Sequence, residues 1–367
     1  EIGLPRAGQA PPVVGESGRW QPAERGADKA DVPLPHGFDK REQGPPKKGP
    51  KLPEVPALEA TAIQQVALLG GKPEARQWYQ SSLDLGTRLA TLGPLFANDP
   101  SVQFCLQSAR RNLGDFEAPL AWYRQFAARQ PDGPWRSAAL AELWLANRTG
   151  PAPKPTLTCR FTETRPFLDG KLDDLCWKGA APARLQNAAG TTRDDCPTEV
   201  RMAYDRDFLY LAVRCAHPAG KEVALAKPRL HDVDLRGHDR VSLLLDLDRD
   251  YSTCFHLQID QRGCVCDDCW GDKTWGPRWF VAVHPEPTGW TAEAAIPLTA
   301  LTGDTVTSGR AWAVNVVRVL PGRGVQAWSL PAEAPEEALR PEGMGLLMFT
   351  QSPTQPVAQR DLMPGAK

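Results

Sequence analysis

From residue 198 onward, apolar residues recur at every second position in short runs separated by turn residues. The runs span 198–204, 208–215, 240–247, 253–260, 278–284, 290–296, 312–319, 326–330 and 345–349, the period of half-buried strands. Asp205-Arg206-Asp207 and Gln261-Arg262-Gly263 supply the turns between them. A parallel sheet would need a crossover helix between strands, and no helical period interrupts the series. The expectation is therefore two packed antiparallel sheets, a β-sandwich.

Upstream the period changes. Apolar residues at three- and four-residue spacing over 83–92, 102–113, 116–128 and 135–145 predict helices. Asn98-Asp99-Pro100 marks a helix start, and Pro131-Asp132-Gly133-Pro134 marks a break. Residues 1–56 carry prolines and mixed charges without apolar periodicity, as in Gln43-Gly44-Pro45-Pro46-Lys47, and such a segment cannot bury enough to fold alone. The expected organisation is a multidomain α + β chain. It comprises a disordered arm over 1–56, an α-helical domain over 57–148, a proline-rich linker over 149–155, the sandwich over 156–350 and a disordered tail over 351–367.

Charge and composition narrow the function. A net charge of −1 over 367 residues, with no sustained basic stripe, argues against nucleic acid or an anionic membrane surface as partner. No apolar run approaches the ~18 residues of a membrane span. Acidic pairs fall in turns (Asp173-Asp174, Asp194-Asp195, Asp267-Asp268), and no Gly-x-Ser-x-Gly or His-Glu-x-x-His is present, so the chain reads as non-enzymatic. The nine cysteines lean towards an oxidising, extracytoplasmic setting. They leave disulfides, buried thiols and a zinc site at Cys264-x-Cys266-x-x-Cys269 as alternatives. The start at Glu1 fits a processed or excised piece, before which a signal peptide could have been removed.

Two local patterns suggest binding. Trp270, Trp275 and Trp279 crowd a Gly- and Pro-bearing loop and either form a ligand surface, with Trp275 the first candidate, or cap the core. His256 and Gln258 share one strand face, while Phe255, Leu257 and Ile259 take the other. That polar face would suit a polyol or a peptide, or is simply solvated.

Several separate pieces lie in a recognisable order: Leu168-Asp169-Gly170 with Trp177; Val200-x-x-Ala203-Tyr204-Asp205 leading into Leu209-Tyr210-Leu211-Ala212-Val213; His238-Asp239-x-Val241; Gly289-Trp290-x-x-Glu293-x-Ala295-Ile296-Pro297; Trp312-x-x-Asn315-x-x-Arg318; Trp328-Ser329; and Gly345-x-x-x-Phe349. In this the segment 156–350 resembles the family 9 carbohydrate-binding modules and their DOMON relatives. The resemblance implies a jelly-roll sandwich and a site where two tryptophans clamp a terminal sugar beside a glutamate and an arginine. Here Arg236 takes the first clamp position, Ser242 the acidic position, His256 that of the arginine, and a residue near Leu339 the second clamp. A relocated site would draw on Arg236, His256, Gln258, Trp270, Trp275 and Arg318. No cofactor is expected: the resemblance also brings in structural calcium, for which Asp246-x-Asp248-x-Asp250 offers carboxylates, but without the glycine and distal glutamate of an EF-hand loop the segment reads rather as a solvated hairpin turn.

Gly114-x-Phe116, Tyr123, Phe126 and Pro131 resemble the second half of one tetratricopeptide repeat, so packing against the sandwich or a protein partner must complete the helical burial. The expected function is a non-catalytic carbohydrate-binding module of a larger extracytoplasmic protein, binding a glycan or polysaccharide. The alternative is a protein-interaction scaffold that has lost its sugar site.

Overall fold

The computed structural model describes residues 12–14, 20–22, 24–25, 73–218 and 224–351. Apart from three short strands, the arm expected over 1–56 lies outside the described residues, as do 57–72 and nearly all of the tail expected over 351–367.

Five helices precede the sheet: α1 (Pro73–Leu92), α2 (Pro94–Ala97), α3 (Pro100–Leu113), α4 (Glu117–Arg129) and α5 (Pro134–Asn147). The Asp99 carboxylate caps α3 by accepting from the Ser101 backbone N–H at 2.9 Å, satisfying a donor the first turn leaves free. Gly114 closes the same helix at φ 96°, a left-handed conformation that costs glycine nothing sterically.

The strands are β1 (Pro12–Val14), β2 (Trp20–Pro22), β3 (Glu24–Arg25), β4 (Thr156–Phe161), β5 (Ala183–Arg184), β6 (Thr198–Tyr204), β7 (Phe208–Ala216), β8 (Leu230–His231), β9 (Arg240–Asp246), β10 (Phe255–Asp260), β11 (Val265–Cys269), β12 (Phe280–Glu286), β13 (Gly289–Pro297), β14 (Ala311–Leu320), β15 (Gly324–Ala327) and β16 (Gly345–Thr350). They follow the order β2-β1-β12-β13-β7-β6-β4-β16-β14-β9-β10-β11-β8-β3 in one curled, mixed sheet that doubles over on itself as a sandwich. Its long strands pair antiparallel, whereas β4 lies between β6 and β16 and runs parallel to both. That strand closes one edge of the sandwich and joins its two halves.

Side chains from the inward faces of both halves make the main core, with Val200, Leu211, Leu243, Leu257, Trp290, Trp312 and Phe349 among them. Each outward face is also covered. On the β7–β13 half, Leu168 and Trp177 pack against Tyr210 and Ala282. Glu293 anchors that cover, accepting from Trp177 Nε1 at 2.7 Å and from the Gly170 backbone N–H at 2.8 Å. Gly170 sits at φ 84°, and a Cβ there would lie 2.6 Å from His284 N, so the close approach requires glycine.

On the β9–β14 half the helical block supplies the cover. Phe104, Tyr123 and Ala138 pack against Leu244, Ala313 and Val317, and the helices thereby obtain from the sandwich the burial that so short a block lacks on its own. One carboxylate fastens the contact: Glu142 on α5 accepts from Arg111 of α3, from Arg249 Nε at 2.8 Å and from the Tyr251 hydroxyl at 3.2 Å. Its side chain is 3% exposed. Removing it leaves two largely buried guanidiniums without their counter-charge, so Glu142→Ala is expected to cost ~3 to 5 kcal/mol. Urea unfolding followed by far-UV circular dichroism checks this; an unchanged midpoint would mean the apolar contact alone docks the helices.

Candidate functional site

The outward face of β9, β10 and β11, at the margin of the helical block, gathers polar side chains by strict alternation. Ser242 pairs across to Gln258 and Gln258 to Cys266, while Leu244 pairs to His256 and His256 to Asp268. Gln258 Nε2 donates to Ser242 Oγ at 2.9 Å, and His256 Nδ1 lies 3.1 Å from Asp268 Oδ2. Burial alone would raise the Asp268 carboxyl, but His256 and the Gly271 backbone N–H at 2.7 Å outweigh it and hold the group below its usual range. His256 Nε2 has no hydrogen-bond partner among the described residues.

Trp270 stands where β11 ends. Its backbone N–H donates to Cys254 O at 2.9 Å, its φ is 51°, and its side chain is 57% exposed. An open indole therefore borders a strip of donors and acceptors.

Of the residues singled out from sequence, His256 and Gln258 share one face, and Trp270 follows directly at the end of the adjacent strand. The others do not join them. Trp275 is a core residue rather than a ligand surface: it is 4% exposed, with its ring 4.6 Å from that of Phe255. Trp279 is likewise buried and donates Nε1 to Asp267 Oδ2 at 3.0 Å. Arg318 is fully enclosed and cannot meet a ligand. It grips Asp239 through Nε at 2.8 Å and Nη2 at 2.6 Å, and Asp239 in turn accepts from Trp290 Nε1 at 2.9 Å. Arg236 is exposed and spends its guanidinium on Asp234, two residues back, with contacts from 2.8 Å. Asp268 was not anticipated; its parity with Cys266 within Val265–Cys269 was the available signal.

All nine cysteines are free thiols, which corrects the expectation of disulfides. They are spread over helices, loops and three strands, and burial pushes the thiols of Cys159, Cys215 and Cys269 up. Cys266 and Cys269 take opposite faces of β11, so the zinc spacing does not converge.

Among the described residues two groups have ligand atoms close enough to share a cation: His231, Asp232 and Asp267, and Asp246, Asp248 and Asp250, each set within 4.8 Å. In the first, both imidazole nitrogens lie 2.9 Å from a carboxylate oxygen. Burial disfavours charge on His231, yet the two carboxylates prevail and raise it, so the ring acts as their internal counter-ion.

The second group is the one considered from sequence for calcium, and its oxygen donors suit a hard cation. It is not the solvated hairpin turn expected from sequence, for Asp246 and Asp250 are buried beneath α3, where Ser108 Oγ donates to Asp248 O at 2.9 Å. Backbone donors already hold it: Tyr251 N–H to Asp246 and the Ser252 and Thr253 N–H groups to Asp250, each at 2.8 Å.

No protein-family model matches the chain, and no curated protein matches it either. Among solved structures it is similar to a carbohydrate binding module family 9 from Caldicellulosiruptor kristjanssonii in complex with cellotriose, at 15% identity and a TM-score of 0.40. A module of the same description in complex with glucose gives 15% identity and a TM-score of 0.42. Each likeness covers 55% of this chain and 99% of the other.

The acidic turn makes the docked helices sensitive to pH. Burial first, and the neighbouring Asp248 charge second, push Asp250 from 3.8 up to about 6, and Asp246 is pushed well up by burial beside Asp250 and Asp248. The folded state thus holds these protons more tightly than the unfolded chain does, a contribution present below about pH 4 and lost as pH rises through about 6. The Tm of Asp250→Asn relative to the parent is expected to rise across that window, because the variant has no carboxylate to ionise there. A difference in Tm that stays constant would show that Asp250 titrates normally.

Proposed function

We propose that the chain is a non-catalytic, glycan-binding module of a larger protein, and that the sugar lies on the strip bordered by Trp270. The carrying observation is the open indole at the end of β11, which also carries Asp268, next to the half-buried His256 and Gln258 of β10. A flat aromatic face suits the apolar face of a pyranose, while imidazole, carboxylate and amide groups suit its ring hydroxyls. The nine free thiols lend no weight to the extracytoplasmic setting that the cysteine count suggested.

A second reading, a protein-interaction scaffold, draws on one observation. Where α1 ends and α2 follows, Leu92, Leu95 and Phe96 are 82%, 88% and 73% exposed, an apolar group of the kind that marks protein contacts.

Calorimetry and tryptophan fluorescence of the full chain against a panel of neutral glycans test the first reading. Trp270→Ala is expected to weaken binding about tenfold, a loss of ~1.4 kcal/mol, without lowering Tm. Trp275→Ala is expected to cost ~3 to 5 kcal/mol of stability, as a buried aromatic does. A panel that gives neither heat nor spectral change sinks the sugar site, and partner capture abolished by Leu95→Asp would then establish the second reading.

A further inference from the structure

A separate concavity lies on the other side of the helical block. Residues of α1, α3 and α5 face the 247–249 and 304–311 segments of the sandwich across a cleft of about 700 Å³, a size that accommodates a small organic ligand. Its lining is unbalanced in charge. Arg76, Arg111, Arg148, Arg249 and Arg310 contribute five guanidiniums, against the carboxylates of Asp248 and Asp304.

The hydrogen bonds leave that excess in place. Arg111 and Arg249 share the single carboxylate of Glu142, and Arg310 meets Asp304 at 3.3 Å. Arg148 donates to the Gly309 carbonyl, a neutral oxygen that does not cancel its charge. Arg76 has no ion-pair partner among the described residues. A concave wall with surplus guanidinium attracts and orients oxyanions, above all those that accept two parallel N–H bonds.

An independent feature points the same way. An adjoining chamber of about 380 Å³ shares Arg111, Phe116, Leu145 and Arg249 with the cleft and is lined also by Tyr123. Tyr123 is 1% exposed, and its hydroxyl lies beside the Arg111 guanidinium that borders both spaces. Phe116, 60% exposed, offers a flat apolar face to both spaces. We infer that this cleft binds a small organic oxyanion, best matched by a carboxylate-bearing sugar of the uronic acid type. Its carboxylate would lie against Arg148 and Arg76 and its ring against Phe116, with a hydroxyl reaching Tyr123.

The cleft is independent of the Trp270 strip, so it is tested in the full chain carrying Trp270→Ala, where that strip is silenced. Calorimetric titration with galacturonate, inorganic phosphate and galactose is expected to give saturable binding of both anions, weakening as salt rises, and none of galactose. Joint substitution Arg76→Ala and Arg148→Ala should lower galacturonate affinity at least tenfold at unchanged Tm. Tyr123→Phe, which removes only the hydroxyl beside Arg111, should lower it several-fold while keeping the fold. Binding of phosphate without galacturonate would support the oxyanion site with a phosphate ester as its source. Equal binding of galactose and galacturonate, anion binding indifferent to the arginine substitutions, or no heat with either anion would overturn the proposal.

Discussion

Much of this molecule depends on a carboxylate that the helices lend to the sheet. Glu142 on α5 accepts from Arg111, Arg249 and Tyr251, and so joins two helices to the turn after β9. The apolar contact beneath it, Phe104 and Tyr123 against Leu244 and Val317, has no directional preference, whereas a charge bridging two guanidiniums does. Arg249 and Tyr251 both sit in left-handed backbone, at φ 51° and 53°, conformations that cost non-glycine residues ~1 to 2 kcal/mol each. Side chains held at Glu142 keep the turn in that shape. The position of the helices then determines which parts of the outer face stay open: the Trp270 strip on one side, the arginine-lined cleft on the other.

The two surfaces differ in chemistry as well as place. The strip pairs polar side chains near one open indole, while the cleft carries surplus guanidinium and adjoins a chamber lined by a phenol. Neither uses the first clamp position implied by the family resemblance, where Arg236 is tied to Asp234.

Alternation along β6, β7, β9, β10, β13 and β14 made the sandwich legible, and Asn98-Asp99-Pro100 the start of α3. Glu293 with Asp169, Gly170 and Trp177 was visible as motif pieces, and their spacing proves to be one hydrogen-bonded cluster. β4 escaped because its partners, β6 and β16, are distant in sequence and parallel to it, so no local turn announces it. β11 escaped because Asp267 and Asp268 read as a loop, although Trp279 and His231 make the burial of Asp267 tolerable. Arg318 shares parity with Trp312, Val314 and Val316, and that period already placed it inward. Trp275 could not be assigned from composition: its loop looks open, and only contact with Phe255 across the fold encloses it. The run Leu243-Leu244-Leu245 in β9 did signal burial on both faces, without saying which element supplies the second.

Trp270 occupies left-handed backbone with its N–H bonded to Cys254, and Gly271 follows at φ 82°. The chain beneath the indole is thus held by the fold itself, so the glycan association proposed above would need to freeze little beyond two side-chain torsions. Recognition here should resemble a hand meeting a fixed rail, with affinity limited by contact rather than by loop ordering.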